Sequence, residues 1–178
     1  TNDTNFDVSV LSEGKRTAEL LTTIYQQKFG FNACIARCFS FVGPGLPLDI
    51  HYAIGNFIRD AINGQSIHIK GDGSPVRSYM YIVDLIKWLW VILFMGKKGE
   101  IYNVGSDEQI MIKDLANIIA SFFQPKPKIK IDHKKIYTSN NTYVPDINKA
   151  KNELKLQLYT TLNDSIYNTI LYNKNFKL

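Results

Sequence analysis

Residues 32–45 read Asn-Ala-Cys-Ile-Ala-Arg-Cys-Phe-Ser-Phe-Val-Gly-Pro-Gly. Asn32 to Cys38, around the apolar run Ala33-Cys-Ile-Ala36, reads as a buried strand, and Gly43-Pro-Gly45 then forces the chain into a loop. In open α/β sheets a strand that ends in such a loop is where ligands bind. Upstream, Ser12 to Phe29 carries helical spacing, with Ser12 as the N-cap, Ala18, Leu21, Tyr25 and Phe29 on one stripe, and Gly30 as the stop. Downstream come a helix from Ile50 to Asn63, a strand at Ile67–Lys70, a tight Gly71-Asp-Gly73 turn and a strand from Val76 to Ile82. The helix from Asp84 to Phe94 is apolar on nearly every side and is expected to lie between layers, with Asp84 capping it. A strand at Ile101–Val104, a helix at Ile112–Phe123 and helices near Asn148–Leu154 and Leu162–Tyr172 complete the pattern. Alternating helices and short strands predict an α/β fold.

Composition bounds the function. The 178 residues are 45% hydrophobic and 21% charged, so disorder and disulfide-stapled miniproteins are excluded, and the length provides for one sizeable core. Net charge is +5, and five lysines fall between Lys126 and Lys135. Alternation puts Lys126, Lys128 and Lys130 on one strand face, which reads as a solvated sheet edge, with an anion-binding strip as the alternative. That placement gives no reason to expect nucleic acid as a partner. Cys34 and Cys38 would sit roughly 13 Å apart along a strand, too far for a disulfide. Neither they nor the isolated His51 and His68 make a metal site. The Trp88–Met95 run is too short to span a bilayer, and Thr1–Asn5 lacks the pattern of a signal peptide, so no membrane partner and a cytoplasmic location are expected.

Four stretches in register carry a resemblance. Ser12-Glu-Gly-Lys-Arg-Thr-Ala-Glu19 resembles the helix of extended short-chain dehydrogenase/reductases that bears a Tyr-x-x-x-Lys pair. Arg37-Cys-Phe-Ser-Phe-Val-Gly-Pro44 resembles their strand and loop beside the nicotinamide, Gly71 to Asp84 their nucleotide-sugar-binding segment, and Tyr102-Asn-Val-Gly105 their following strand. The chain is therefore similar to the C-terminal half of a nucleotide-diphosphate-sugar epimerase, dehydratase or decarboxylase. The implied fold is the C-terminal part of a Rossmann-like NAD-binding domain plus a small α/β substrate subdomain, without the first half of the parallel sheet. Residues 1–45 would belong to the Rossmann-like part. Residues 46–178 would be mostly the substrate subdomain, with returns to the sheet.

The same resemblance implies site residues. Lys15 would be the catalytic lysine, lowering a tyrosine's pKa and hydrogen bonding the nicotinamide ribose; Cys38, Phe39 and Phe41 would line the cofactor. Arg77 would bind pyrophosphate, Asn56 the phosphate or sugar, and Ile67 to Lys70 the strand on which the base rests. Read from the residues alone, Lys15 could equally be an exposed helical lysine, Arg77 an ion-pair partner of Asp72 or Asp84, and Asn56 a local cap. Four residues before Lys15, a spacing that shares one helix face, stands Leu11, where the family places its tyrosine; leucine transfers no proton. The Gly-x-x-Gly-x-x-Gly cofactor turn has no counterpart here either, and Asn141 and Thr142 occupy the place of a second family arginine. The chain begins where a full-length member would be about half finished. Two expectations follow: the substrate-binding portion of an enzyme of surface-polysaccharide sugar synthesis, inactive as a fragment, or a non-catalytic member that kept the fold. NAD is the cofactor of the full-length family and is not expected to bind this chain alone. The partner would be a nucleotide-diphosphate sugar, with a homodimer through the lysine-bearing helix as a further family habit.

Overall fold

A computed structural model of the chain describes residues 7–50, 52–132 and 141–176. Helix α1 spans Asp7–Phe29. It starts a turn earlier than the sequence pattern suggests, because no glycine or proline separates Asp7 from Ser12, so Ser12 lies inside the helix rather than capping it. Its orientation is the larger surprise. Leu11, Leu21, Tyr25 and Phe29 are exposed, while the residues turned toward the rest of the chain are Ser12, Glu19, Thr22 and Gln26. Polar contacts line the inward face. Glu19 meets Arg37, and the Gln26 amide donates to the Ala33 carbonyl at 3.3 Å.

Strand β1 (Ile35–Cys38) pairs in parallel with β6 (Ile101–Val104), Ile35 opposite Ile101 and Cys38 opposite Val104. Between them the chain makes β2 (Phe41–Val42), α2 (Ala53–Ile62), β3 (Ile67–Ile69), β4 (Val76–Arg77), β5 (Met80–Tyr81) and α3 (Ile82–Met95). The stretch from Val76 to Ile82 is thus two strands, not one. It breaks at the buried Ser78 and Tyr79, where the chain passes from one sheet to another. After β6 follow β7 (Ile110–Met111), α4 (Ile112–Ser121), β8 (Ile129–Ile131), β9 (Thr142–Tyr143), α5 (Asn148–Leu154) and α6 (Leu162–Phe176). Strand β2 pairs with β5 and β3 with β8, both in parallel; β4 lies between antiparallel β7 and parallel β9. Among the described residues β8 pairs with β3 alone, and Lys130 within it, like Lys126 and Lys128 just before it, stays in solvent, as a protected edge would. Its continuation through Lys134 and Lys135, and His51, lie outside the described residues.

Two hydrophobic clusters hold these elements. One gathers α2, α4 and α6 around β3, with Phe57, Ile58, Ile67, Leu115, Ile119 and Ile166 inside. The other packs Leu85, Trp88 and Ile92 of α3 against Tyr102 and Val104 of β6, Ala150 of α5 and Ile147 just before it. Helix α3 is therefore buried on one side only. Val83, Ile86, Leu89, Trp90, Leu93, Phe94 and Met95 remain exposed, so the expected sandwich between two layers is not formed by the described residues. Asp84 does not cap α3 either. Tyr81 is the N-cap, and Asp84 Oδ2 accepts the Tyr159 and Thr160 N–H groups at 3.1 and 3.0 Å, tying the segment before α6 to the helix.

Candidate substrate site

The site grows from the end of β1. The Phe39 N–H donates to Val104 O at 3.0 Å, and Met80 N–H donates to Ser40 O at 3.0 Å, so the loop leaving β1 is stitched to both β6 and β5. Phe41 stands opposite Met80 across the β2–β5 pair. Phe39 sets its ring 5.0 Å from that of Tyr143, and Tyr143 in turn is the register partner of Arg77. Gly105 makes this closeness possible: a Cβ there would lie 2.9 Å from Pro145 Cγ and 3.1 Å from Phe39 Cβ. Phe39, Tyr143 and Arg77 thus adjoin in one rim, whereas Phe41 belongs to the β2–β5 pair and packs against the hydrophobic cluster of α3.

Lys15 reaches the same strand end from α1. It lies one turn before Glu19, whose carboxylate binds the Arg37 guanidinium through two bonds of 2.8 and 2.6 Å. Burial pushes the Cys38 thiol above its ordinary value, and the Lys15 charge pulls it back, which places the ammonium within electrostatic reach of Cys38. Leu11 is exposed on α1 one turn further from Glu19.

Arg77 is half-buried in the middle strand of its sheet. Its Nη1 donates to Val76 O at 2.8 Å and to Asn141 O at 2.7 Å, and its Nη2 to Asn141 Oδ1 at 3.0 Å. The ion pairs expected with Asp72 or Asp84 give way to these neutral oxygens. Asp72 instead closes its own turn through Ser74 N–H and Oγ, and Asp84 serves the backbone before α6. Nearby Tyr79 is pushed up to about 12 by burial, against the opposing pull of Arg77, so its hydroxyl stays neutral and protonated at ordinary pH.

Asn56, in the second turn of α2, accepts at Oδ1 from Arg59 Nη1 at 3.2 Å. Arg59 also donates to Leu48 O and to Asp60 Oδ1. No bond or ring contact described here links Asn56 to the Arg77 rim. On β3, Ile67 is wholly buried and its N–H is taken by Lys128 O. The solvent side there is formed by His68 and by Lys70 just after the strand, and His68 pairs with Asp132 at 2.6 Å. Among the described residues no three metal-ligating side chains gather, both cysteines are free, and no helix is long and apolar enough to cross a membrane. Sequence reasoning missed Arg59, which an i,i+3 reading from Asn56 could have found, and the bond from Arg77 to Asn141. A pairing across 64 positions leaves no local signal.

Helices alternating with short, mostly parallel strands define an α/β protein. A sequence model described as the NAD dependent epimerase/dehydratase family matches residues 6–105, and the chain belongs to that family. It is 30% identical over 160 residues to UDP-glucuronic acid decarboxylase 1 of Arabidopsis thaliana, covering 89% of this chain and 36% of that protein. A UDP-glucuronic acid decarboxylase of Danio rerio is 29% identical, with 90% and 38% covered. The chain thus spans roughly two-fifths of the length of the curated relatives it matches. Among solved structures, UDP-glucose 4-epimerase of Thermotoga maritima with UDP-glucose superposes with a TM-score of 0.80 at 20% identity, over 92% of this chain and 53% of that one. UDP-glucuronic acid 4-epimerase of Bacillus cereus, in complex with UDP-glucuronic acid and NAD, gives 0.76 at 25% identity over 88% and 49%. The Rossmann-like architecture of these enzymes is therefore the fold of this chain, matched over about half of their length.

Proposed function

We propose that the chain is the nucleotide-diphosphate-sugar-binding part of an NAD-dependent epimerase, dehydratase or decarboxylase that supplies sugars for surface polysaccharide. The observation that carries the reading is Arg77. Its guanidinium is half-buried and held by neutral oxygens, so its charge is left for an anion, and a pyrophosphate is the anion whose geometry a guanidinium matches. The UDP sugars in the names of its relatives favour UDP as the nucleotide. In this reading residues 1–45 belong to the cofactor side and most of 46–178 to the substrate side.

NAD is the redox partner of the family, supplying transient oxidation of the sugar. Of this chain's residues, exposed Lys15 beside Cys38 fits a ribose hydroxyl, and the half-buried Phe39 and Phe41 fit an aromatic ring. The sequence contains no glycine turn to cradle the dinucleotide's pyrophosphate, so the chain alone is expected not to bind NAD measurably. Leu11, exposed one turn from Lys15, favours a second reading: a non-catalytic member that binds nucleotide sugars without converting them. Thermal shift of the chain with UDP-, CDP- and dTDP-sugars tests the proposal. A rise in melting temperature with at least one, abolished by Arg77→Ala, supports it; no shift with any of them removes it.

A further inference from the structure

Arg77 has two edges on which it can bind an oxyanion, and the described residues occupy only one. Nη1 uses both of its hydrogens, on Val76 O and Asn141 O, and Nη2 gives one to Asn141 Oδ1. Asn141 therefore grips the outer end of the guanidinium with its backbone carbonyl and its side chain together. Arginine is donor-only, so the Asn141 atom it meets must be the carboxamide oxygen, and the Asn141 NH₂ is turned away as a further donor. The Nε–H and the second Nη2 hydrogen lie side by side along the other edge and have no partner among the described residues. Asn141 itself is fixed at its backbone, since its carbonyl also accepts the Val76 N–H at 3.1 Å.

We infer that Asn141 is a positioning residue: it holds the outer edge of Arg77 so that the Nε/Nη2 edge meets the diphosphate of a nucleotide sugar. This rests on the proposed nucleotide-sugar function. It also gives the site a different character from a clamp of two cations. One cation, oriented by a neutral amide, would grip a diphosphate by direction more than by charge. Lysine, a point charge without a second edge, would not replace Arg77 in such a site.

The experiment uses the full chain. In the ligand-free, ¹⁵N-labelled protein, the two Nη signals of Arg77 are expected to be separate, because the grip of Asn141 hinders rotation of the guanidinium, and to merge in Asn141→Ala. By titration calorimetry with UDP-glucose and with inorganic pyrophosphate, Asn141→Ala is expected to weaken both about tenfold, the scale of one hydrogen bond to a charged group. In an Arg77→Lys background the same substitution should cost less than about twofold, since no fork remains to be oriented. Separate Nη signals in Asn141→Ala, or an equal loss in both backgrounds, overturn the positioning role. Failure of the unsubstituted chain to bind either probe overturns the diphosphate and the edge assigned to it. In that case the Nη signals still decide by themselves whether Asn141 orients Arg77.

Discussion

Arg37 on β1 binds both oxygens of Glu19 on α1, Nε to Oε1 at 2.8 Å and Nη2 to Oε2 at 2.6 Å. The pair turns the polar face of α1 toward the strand and so sets where Lys15 lies. The hydrogen bond from Arg37, aided by its charge and opposed by partial burial, holds the Glu19 carboxyl below its ordinary value of 4.5. Because the folded value is the lower one, this contribution is present above about pH 4.5 and is lost as the pH falls through the folded value. The pair is solvent-screened, so its worth is small, about 0.5 kcal/mol. We expect Glu19→Gln to flatten the acid limb of the stability profile between about pH 5 and pH 3. An unchanged acid limb would mean the pair is not formed in solution.

Lys15 should be detectable through Cys38. Burial raises the thiol above its ordinary 9.0, with Lys15 opposing the rise. Removing the ammonium in Lys15→Met should move the pH dependence of Cys38 alkylation by iodoacetamide further to the alkaline side, and so slow the reaction at neutral pH. A Cys34→Ser background isolates the signal. An unaltered rate would place Lys15 away from the strand end and weaken its assignment to the cofactor side.

What could be read from the sequence was whatever local periodicity writes down. The strand at Ile35–Cys38, its loop, the alternation of helices with short strands and the edge lysines of β8 all follow from spacing and from glycine and proline placement. What could not be read depends on partners distant in sequence. The apolar stripe of α1 faces away from the described residues, while Glu19 and Gln26 turn toward Arg37 and Ala33. The half-exposed state of α3 depends on what covers it, and its own residues look the same either way. The neighbour of Arg77 lies 64 positions on and is an asparagine rather than an aspartate.

Trp88 and Trp90 separate the two faces of α3. Trp88 is fully buried and donates its indole N–H to Gln157 O at 2.9 Å, whereas Trp90 is 57% exposed and stacks on Phe94. Trp88→Ala should cost about 3–5 kcal/mol in chemical denaturation. Trp90→Glu with Phe94→Lys should change stability by no more than about 0.5 kcal/mol each. The same pair should reduce self-association in light scattering, because an exposed apolar patch of this kind attracts other surfaces. Equal destabilisation by both sets would contradict the one-sided burial of the helix.

Gly105, just after β6, lies against Phe39 and Pro145. A methyl group there must displace Phe39 or Pro145, neither of which is the free end of a flexible chain. We expect Gly105→Ala to destabilise the protein by about 1–3 kcal/mol, the usual cost of overpacking. Pro145→Ala in the same chain, by removing the Cγ that would lie 2.9 Å away, should recover part of that loss. No recovery would show that the Phe39 Cβ, at 3.1 Å, carries the clash.

Asn56 and Asp60 both depend on Arg59, and substitutions can separate their roles. Asp60 is 8% exposed and receives Arg59 Nε and Nη2 at 3.0 and 2.7 Å. Arg59→Ala leaves that carboxylate without its cation, a loss of about 1–3 kcal/mol once the partial exposure of Arg59 is allowed for. Adding Asp60→Asn should restore most of it, since a neutral amide no longer needs the charge. Asn56 is a different matter, because its carboxamide oxygen faces a donor-only arginine and its NH₂ must point elsewhere, as a donor suited to a phosphate oxygen. Asn56→Asp keeps the acceptor for Arg59 and should leave stability nearly intact. It also replaces the outward donor with a negative charge. If Asn56 serves the ligand, UDP-glucose affinity in Asn56→Asp should fall by more than about tenfold while the melting temperature of the ligand-free chain holds. If it serves only as a strut for Arg59, affinity and stability will both be spared.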